Sequence, residues 1–349
     1  MSAMVTTSER LTRAPGNDDI VRETESMIHP TAVIHSGAVI GQGVLVAAFC
    51  TIGSAVKVGD HCQLHPGSHI FGDTELGNNY KTQFGHHAVV GTKCQDLKYT
   101  TGDECFLHIG DNNDIREYAS IHRSSKFTDK TVIGNNNLIM GSCHIAHDCK
   151  VGNNNIFSNN SLFAGHVEVE DYVRTSGASV VHQFCHLGSH CFISGGSVVT
   201  QDVPRFMMVS GDRAEIRGLN LEGLRRRGFS SFEIRGMKRA YRKIFMPSEQ
   251  SSSLIEQRLA EVEQDEELAA FPAVRSMVKS IRGSFQTDRR GICHFRNCWL
   301  LNETLSEFPI IFISYRIRFL GDSTVSDILP NQEPSGSSNR HIFIWVDSY

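Results

Sequence analysis

The sequence predicts a mainly β protein, a left-handed parallel β-helix of hexapeptide repeats followed by a C-terminal α-helical domain. Three observations predict it. Stepping by six from Ile28 lands on Ile34, Ile40, Val46, Ile52, Val58, Leu64, Ile70 and Leu76, then, after a slip of two, on Phe84 and Val90. The step resumes at Ile109 and runs through Ile115, Ile121, Phe127, Ile133, Ile139, Ile145, Val151, Phe157, Phe163, Val169, Thr175, Val181, Leu187, Ile193 and Val199, with Thr175 its only polar member. Four residues beyond many of these stand small side chains: Ala32, Ala38, Val44, Cys50, Val56, Cys62, Cys143, Cys149, Ser161, Cys185, Cys191 and Ser197. Neither a helical period nor simple strand alternation sustains a six-residue register, whereas coils with three flat faces, one inward apolar residue per face, do.

Taken in order, residues 1–27 are a polar leader. Arg10 and Arg13 sit among serines and threonines as in a transit peptide, but Asp18, Asp19, Glu23 and Glu25 argue against a long one. No secretory signal is read there. Residues 28–203 form the repeat domain, interrupted from about Gly91 to Phe106. Six of its cysteines occupy the small inward position, and the ten in the chain include no Cys-x-x-Cys pair. They read as small buried hydrophobes rather than disulfides or metal ligands.

The register ends at Asp202-Val203-Pro204, and residues 204–292 turn to helical spacing. Ser230 with Glu233 makes a capping box ahead of Ile234, Met237, Tyr241 and Ile244, and Ser253 with Glu256 makes a second ahead of Leu259 and Val262. Pro272 opens a third helix through Met277, Val278 and Ile281. Residues 293–349 break the pattern: Pro309 to Leu320 is apolar and aromatic, Gln332 to Asn339 is rich in Pro, Ser and Gly, and low order is expected.

The 34 Lys and Arg residues against 38 Asp and Glu give a net charge of -4, which removes the general case for a nucleic-acid binder. No window approaches the roughly 18 consecutive apolar residues that a membrane span needs. Phe308 to Leu320 comes nearest and is cut by Arg316 and Arg318.

Among 17 histidines, position in the register discriminates better than number. His147, His166 and His182 belong to hexapeptides starting at Ile145, Phe163 and Val181, 18 residues apart, hence one wall of three successive coils. Strands stacked about 4.8 Å apart would hold the three imidazoles in a strip of roughly 10 Å, the size of an active site. His144 is expected at the corner just before, and Asp148 follows His147 as an acid able to hold an imidazole tautomer. A ladder of stacked polar side chains explains the same alignment without chemistry. A three-histidine zinc site between subunits, as in β-helix hydratases, is the other alternative, but His-Ile-Ala-His matches that pattern poorly.

Several segments together resemble one family. They are His144-Ile145-Ala146-His147-Asp148-Cys149, Leu162-Phe163-Ala164-Gly165-His166, Val181-His182-Gln183-Phe184-Cys185, Gln201-Asp202-Val203-Pro204, and Asn220 through Phe229 (Asn-Leu-Glu-Gly-Leu-Arg-Arg-Arg-Gly-Phe). Gln95-Asp96-Leu97-Lys98-Tyr99 and Ile121-His122-Arg123 match as well. In this order they are similar to the acyl-carrier-protein-dependent UDP-N-acetylglucosamine O-acyltransferases, which open lipid A synthesis. The resemblance covers about Ile28 to Ile292.

It implies transfer of an (R)-3-hydroxyacyl group from acyl carrier protein to the sugar 3-hydroxyl, with no metal or dissociable cofactor, in a homotrimer with clefts between neighbouring β-helices. By the resemblance His147 is the general base, a role that suits an imidazole because its ordinary pKa of about 6.5 leaves a neutral acceptor. Asp148 orients it, and the Gly165 N–H donates to the oxyanion. Asp96 and Lys98 engage the sugar, while His122, His144, His166, His182 and Gln183 line the cleft. Asn220, Glu222, Arg226 and Arg227 hold the nucleotide and its phosphates, for which the arginine fork is well shaped. Gly195 leaves the acyl groove open to a long chain; Arg213, where the family carries a histidine, is the departure.

From Arg225 to Lys243 eight basic residues (Arg225, Arg226, Arg227, Arg235, Lys238, Arg239, Arg242, Lys243) face one acid, Glu233, and form the expected docking surface for the acidic carrier protein. Cys143 and the Asn-rich turns at 135–137 and 153–155 resemble the family's plant branch, which is mitochondrial; outside a plant the expectation is cytoplasmic. Two competing readings are an N-acyltransferase acting on an amino sugar and a non-catalytic scaffold. The first would need a uridine-binding domain that 27 polar residues cannot supply.

Overall fold

The computed structural model describes residues 25–79, 82–97, 105–126, 129–246 and 254–295. Most of the leader, the tail beyond Phe295, Lys98, Phe127 and Ser253 lie outside them. Among the described residues the repeats wind through three sheets of eleven, nine and eight strands, called walls 1, 2 and 3 in the order each coil meets them. Each strand pairs in parallel with its equivalent one coil on: Met27 with Leu45 on wall 1, Val33 with Thr51 on wall 2, Val39 with Lys57 on wall 3. The 18-residue offset is three hexapeptides per coil. The fold is the left-handed β-helix that the period predicts.

The register residues point inward and are buried from Val46 to Val199 wherever they are described, and the small residues from Val44 to Ser197 lie beside them. All nine described cysteines are free and buried. Thr175, the polar member, is accommodated because its hydroxyl pairs with Ser161 Oγ at 2.7 Å and accepts from the Ser158 N–H at 3.1 Å.

The corners explain the six-residue period as much as the walls do. Ser142, Asp148, Asn154, Asn160, His166, Tyr172, Ala178, Phe184 and His190, each six apart, have φ between 55° and 63°. A left-handed residue at each of these corners turns the chain onto the next wall. None of these is β-branched, as the steric cost of that conformation requires.

Besides the two-residue slip between Leu76 and Phe84, two longer insertions leave this frame, both at the edge between walls 2 and 3. One separates strand Val89–Thr92 from Phe106–Ile109, and the other separates Ser120–His122 from Lys130–Ile133. The second corrects the register. Ile121 lies on wall 2 and Ile133 on the next wall, so the step counted at Phe127 has no wall of its own.

After the last coil a hairpin, Met207–Ser210 against Glu215–Leu219, extends wall 1. It occupies a stretch expected to be helical; helices begin only with α1 (Leu221–Arg226). Four more follow: α2 (Ser231–Phe245), α3 (Ile255–Gln264), α4 (Glu266–Ala269) and α5 (Pro272–Gly283). The Ser230–Glu233 capping box of α2 and Pro272 at the first turn of α5 are as predicted. The box predicted at Ser253 falls on a residue outside the described ones. Leu254 caps α3 and its N–H donates to Gln257 Oε1 at 3.0 Å, while Glu256 pairs with Arg282 at 2.8 Å.

Arg205 fastens the helices to the coils. It pairs with Glu170 at 2.6 Å while its Nη1 donates to Ser276 Oγ of α5 at 2.8 Å. The ordered packing continues past the predicted boundary at 292. Cys293 is buried and donates its N–H to Asp202 O, and Phe295 meets Phe245 with ring centroids 5.0 Å apart.

Candidate active site

Register pairing decides which predicted residues meet. His144 pairs with Leu162 and Leu162 with Val180, so one column at the wall 2–3 edge holds His147, Gly165 and Gln183, and the next holds Asp148, His166 and Phe184. His147, His166 and His182 are therefore not one ladder. They stand two, three and one residues past their register positions, so the three-imidazole strip is corrected to a pair. His147 and His166 meet edge to face at 5.2 Å, and His166 stacks on Phe184 at 4.6 Å. His182 and Gln183 are exposed. His144 is also displaced from its expected corner: it lies within the wall 2 strand His144–Ile145, edge-on to His122 at 4.7 Å.

The centre of the site is His147 with Asp148. Both are buried, and His147 Nδ1 lies 2.7 Å from Asp148 Oδ2. Burial works to raise the Asp148 pKa, but hydrogen bonds from His147 and Ser125 outweigh it and hold the carboxyl at about 2. An ionised carboxylate only accepts, so in the neutral imidazole Nδ1 carries the proton and Nε2 is left as the acceptor. That acceptor faces the first insertion, with Asp96 Oδ2 at 3.9 Å. The gap exceeds a hydrogen bond and suits a donor placed between the two.

Gly165 lies flat against the imidazole. A Cβ there would fall 2.6 Å from His147 Cε1 and 2.7 Å from Nε2. Its N–H meets no acceptor among the described residues. Around this centre burial, aided by the neighbouring histidines, holds His122 down at about 4 and lowers His144; burial likewise lowers His166. The surrounding imidazoles are neutral near pH 7.

Ser125 and Thr131, which the sequence reading did not single out, hold Asp148. The Ser125 N–H donates to Oδ1 at 3.0 Å and its Oγ to Oδ2 at 2.6 Å, while the Asp148 N–H donates to Thr131 Oγ1 at 2.8 Å. The insertion that supplies Ser125 was hidden by counting Phe127 as a repeat. His147, Asp148 and His166 each offer a metal-ligand atom within 4.8 Å of the others. Asp148 already accepts three hydrogen bonds, however, so a metal would have to displace the His147 pair.

Comparison with known proteins identifies the family. Residues 202–293 match the family profile described as UDP-N-acetylglucosamine O-acyltransferase, domain 2, and residues 130–165 match the bacterial transferase hexapeptide profile. The chain is 61% identical over 303 residues, 81% of its own length and 90% of the other's, to a protein of Arabidopsis thaliana named a probable mitochondrial acyl-[acyl-carrier-protein]–UDP-N-acetylglucosamine O-acyltransferase. A Stutzerimonas stutzeri protein of the same enzyme name is 39% identical, with 76% of this chain and 99% of that one covered. The chain belongs to the UDP-N-acetylglucosamine O-acyltransferase family. Solved structures agree: the Arabidopsis UDP-N-acetylglucosamine acyltransferase superposes with TM-score 0.71 at 61% identity, over 76% of this chain and 99% of that one. That of Bacteroides fragilis gives 0.70 at 35% identity, over 77% and 100%.

In this member of the UDP-N-acetylglucosamine O-acyltransferases the other candidate residues sit on other edges. Gly195 is at the corner between walls 1 and 2, its Cβ position 3.3 Å from Gly177 O. Asn220 caps α1, its Oδ1 accepting from the Gly223 N–H at 3.0 Å and its Nδ2 donating to His190 O at 2.9 Å. His190 belongs to the wall 3–1 edge, where Arg227 lies over the Tyr172 ring at 4.6 Å. Glu222 pairs with Arg226 at 2.9 Å and with Arg225 at 3.5 Å. One chain thus does not gather the expected nucleotide residues around His147. Arg213 sits in the turn of the hairpin, its N–H bonded to Asp212 Oδ1.

The basic segment is also less bare than its local sequence implies. Arg239 pairs with Glu267 at 2.5 Å and Lys243 with Asp265 at 2.6 Å, acids that only the fold brings near. Arg235, Lys238 and Arg242 form no ion pair among the described residues. No helix among those residues is long and apolar enough to cross a membrane.

Proposed function

We propose that this protein transfers an (R)-3-hydroxyacyl group from acyl carrier protein to the 3-hydroxyl of UDP-N-acetylglucosamine, the first step of lipid A synthesis, with His147 as general base. The observation that carries the reading is the buried His147–Asp148 pair, its Nδ1 held by the carboxylate and its Nε2 edge laid against Gly165. The sugar oxygen attacks the thioester carbonyl as Nε2 takes its proton. The Gly165 N–H then donates to the developing oxyanion, collapse breaks the carbon–sulfur bond, and the imidazolium returns the proton to the departing thiolate. Asp96, facing Nε2, receives the neighbouring sugar donor together with Lys98. Neutral His122, His144 and His166 add hydrogen-bonding groups without placing a competing positive charge beside the base.

The acyl tail follows wall 2. Leu162, 41% exposed, then Val180 and Val198 continue the outward column below His144, an apolar track of about 10 Å that ends in the coil containing Gly195. Asn220, Glu222, Arg226 and Arg227 serve the nucleotide of a neighbouring copy. Their position on a different edge from His147 favours a homotrimer in which each cleft lies between two chains. Arg235, Lys238 and Arg242 remain as cations for the carrier. The Arabidopsis relative favours a mitochondrial location.

The test is to mix full-length protein with 3-hydroxyacyl carrier protein and UDP-N-acetylglucosamine and to follow the sugar by mass spectrometry. An acyl ester on the sugar is expected. Transfer to an amine, or no transfer by folded protein, would contradict the reading.

A further inference from the structure

We propose that Ser125 is a positioning residue for acyl transfer, acting through Asp148 to fix the orientation of His147; the inference rests on the general-base reading above. A carboxylate turns freely about its last side-chain torsion, which is broad and roughly two-fold, and the single bond to His147 would not stop it. Ser125 does, because it grips both oxygens at once, the N–H on Oδ1 at 3.0 Å and the hydroxyl on Oδ2 at 2.6 Å. The plane so fixed aims Oδ2 at His147 Nδ1.

The other side of the same insertion secures the backbone. Thr131, fully buried, accepts the Asp148 N–H and holds that residue in its left-handed conformation at φ 60°. Ser125 is buried as well, and its one hydroxyl proton is committed to Asp148. Its contribution is therefore indirect. It touches neither imidazole nor the outer face of the cleft in any hydrogen bond described.

Removing the hydroxyl has a chemical signature distinct from lost packing. Oδ2 receives two donors, the Ser125 hydroxyl and the His147 Nδ1–H. With the first gone, the carboxylate charge is less shared and favours the imidazolium more strongly, so the acid limb of the pH profile moves up. The other titratable groups facing the pair are Asp96 opposite Nε2, His166 at 3.5 Å from Oδ2, His122 and His144 across the edge, and the Cys94 and Cys149 thiols, which burial and Asp148 raise; Lys126 and Asp129 act on His166. They are the same in each variant compared.

The experiment measures kcat, KM and the pH profile of acyl transfer in full-length wild type, Ser125→Ala and Ser125→Thr, with thermal melting as the check on folding. Ser125→Ala should lower kcat about tenfold with KM for the sugar nucleotide within about twofold and raise the acid limb, and Ser125→Thr, which keeps the hydroxyl, should restore both. An unmoved limb in folded Ser125→Ala, or a folded Ser125→Thr that restores neither quantity, overturns the inference. His147→Ala run alongside separates the two levels. If it stays active, the general-base reading fails first; if it is inactive while Ser125→Ala equals wild type, only the role of Ser125 falls.

Discussion

Two edges of the same prism use the same backbone for different ends. On the wall 3–1 edge the residue before each left-handed corner is Asp60, Asn78, Asp111, Asn135, Asn153 or Asp171, and each Oδ1 accepts the backbone N–H of the equivalent residue one coil earlier, at 2.6 to 2.9 Å. The ladder seals the edge. On the wall 2–3 edge that position is His147, Gly165 and Gln183, none of which caps its neighbour in this way among the described residues, so the Gly165 N–H is left available beside an imidazole. A stability device repeated along one edge is thus omitted on the other, where the candidate chemistry lies. The omission is visible as three residue choices in a common frame.

Breaking the reactive edge should have the largest effect. His147→Ala removes the acceptor and should cost about 10² to 10⁴ in kcat with a wild-type melting curve, since general-base catalysis is worth that much. Gly165→Ala comes next. Its new Cβ would land 2.6 to 2.7 Å from the His147 ring, so steady-state assays should show kcat falling by about 10², the size of a lost or misplaced oxyanion donor.

The sealed edge should respond in the opposite currency. Asn135→Ala leaves the Asp111 N–H without its 2.7 Å partner and should lower stability by about 1 kcal/mol in a denaturant titration while kcat stays within about twofold. Loss of activity without loss of stability in this variant would erase the distinction between the edges.

The remaining effect is on pH. His122 is held at about 4 in the folded protein, mainly by burial, against about 6.5 unfolded, so the unfolded chain binds the proton more readily. Its stabilising contribution is full above pH 6.5 and is lost as pH falls toward 4. Melting temperatures should drop across that window, and His122→Asn should flatten the slope. An unchanged slope would argue against a buried neutral His122.

Much of this architecture was legible because the core repeats. Each buried register residue and six of the nine described cysteines sit where counting by six puts them, one inward side chain per wall being a local rule. The site was legible in its residues and less so in their arrangement. His147 and Asp148 were found together, but His182 was assigned to their stack when it is one register position short, since a hexapeptide count fixes the coil and not the place on the corner. Ser125 was invisible for a related reason: a phenylalanine at the right interval concealed an insertion. The pairing of Arg239 with Glu267 and of Lys243 with Asp265 depends on helix packing, which no local count of charge contains.

The most direct test of this account is the acyl-transfer kcat of Gln183→Asn. Asparagine at that position recreates on the reactive edge the cap that Asn153 supplies to Asn135 at 2.8 Å, and its Oδ1 should occupy the Gly165 N–H. The account predicts that kcat falls by about 10² while the melting temperature is held or raised. A variant in which hydrogen exchange shows the Gly165 amide newly protected, yet acyl transfer proceeds at the wild-type rate, would contradict it.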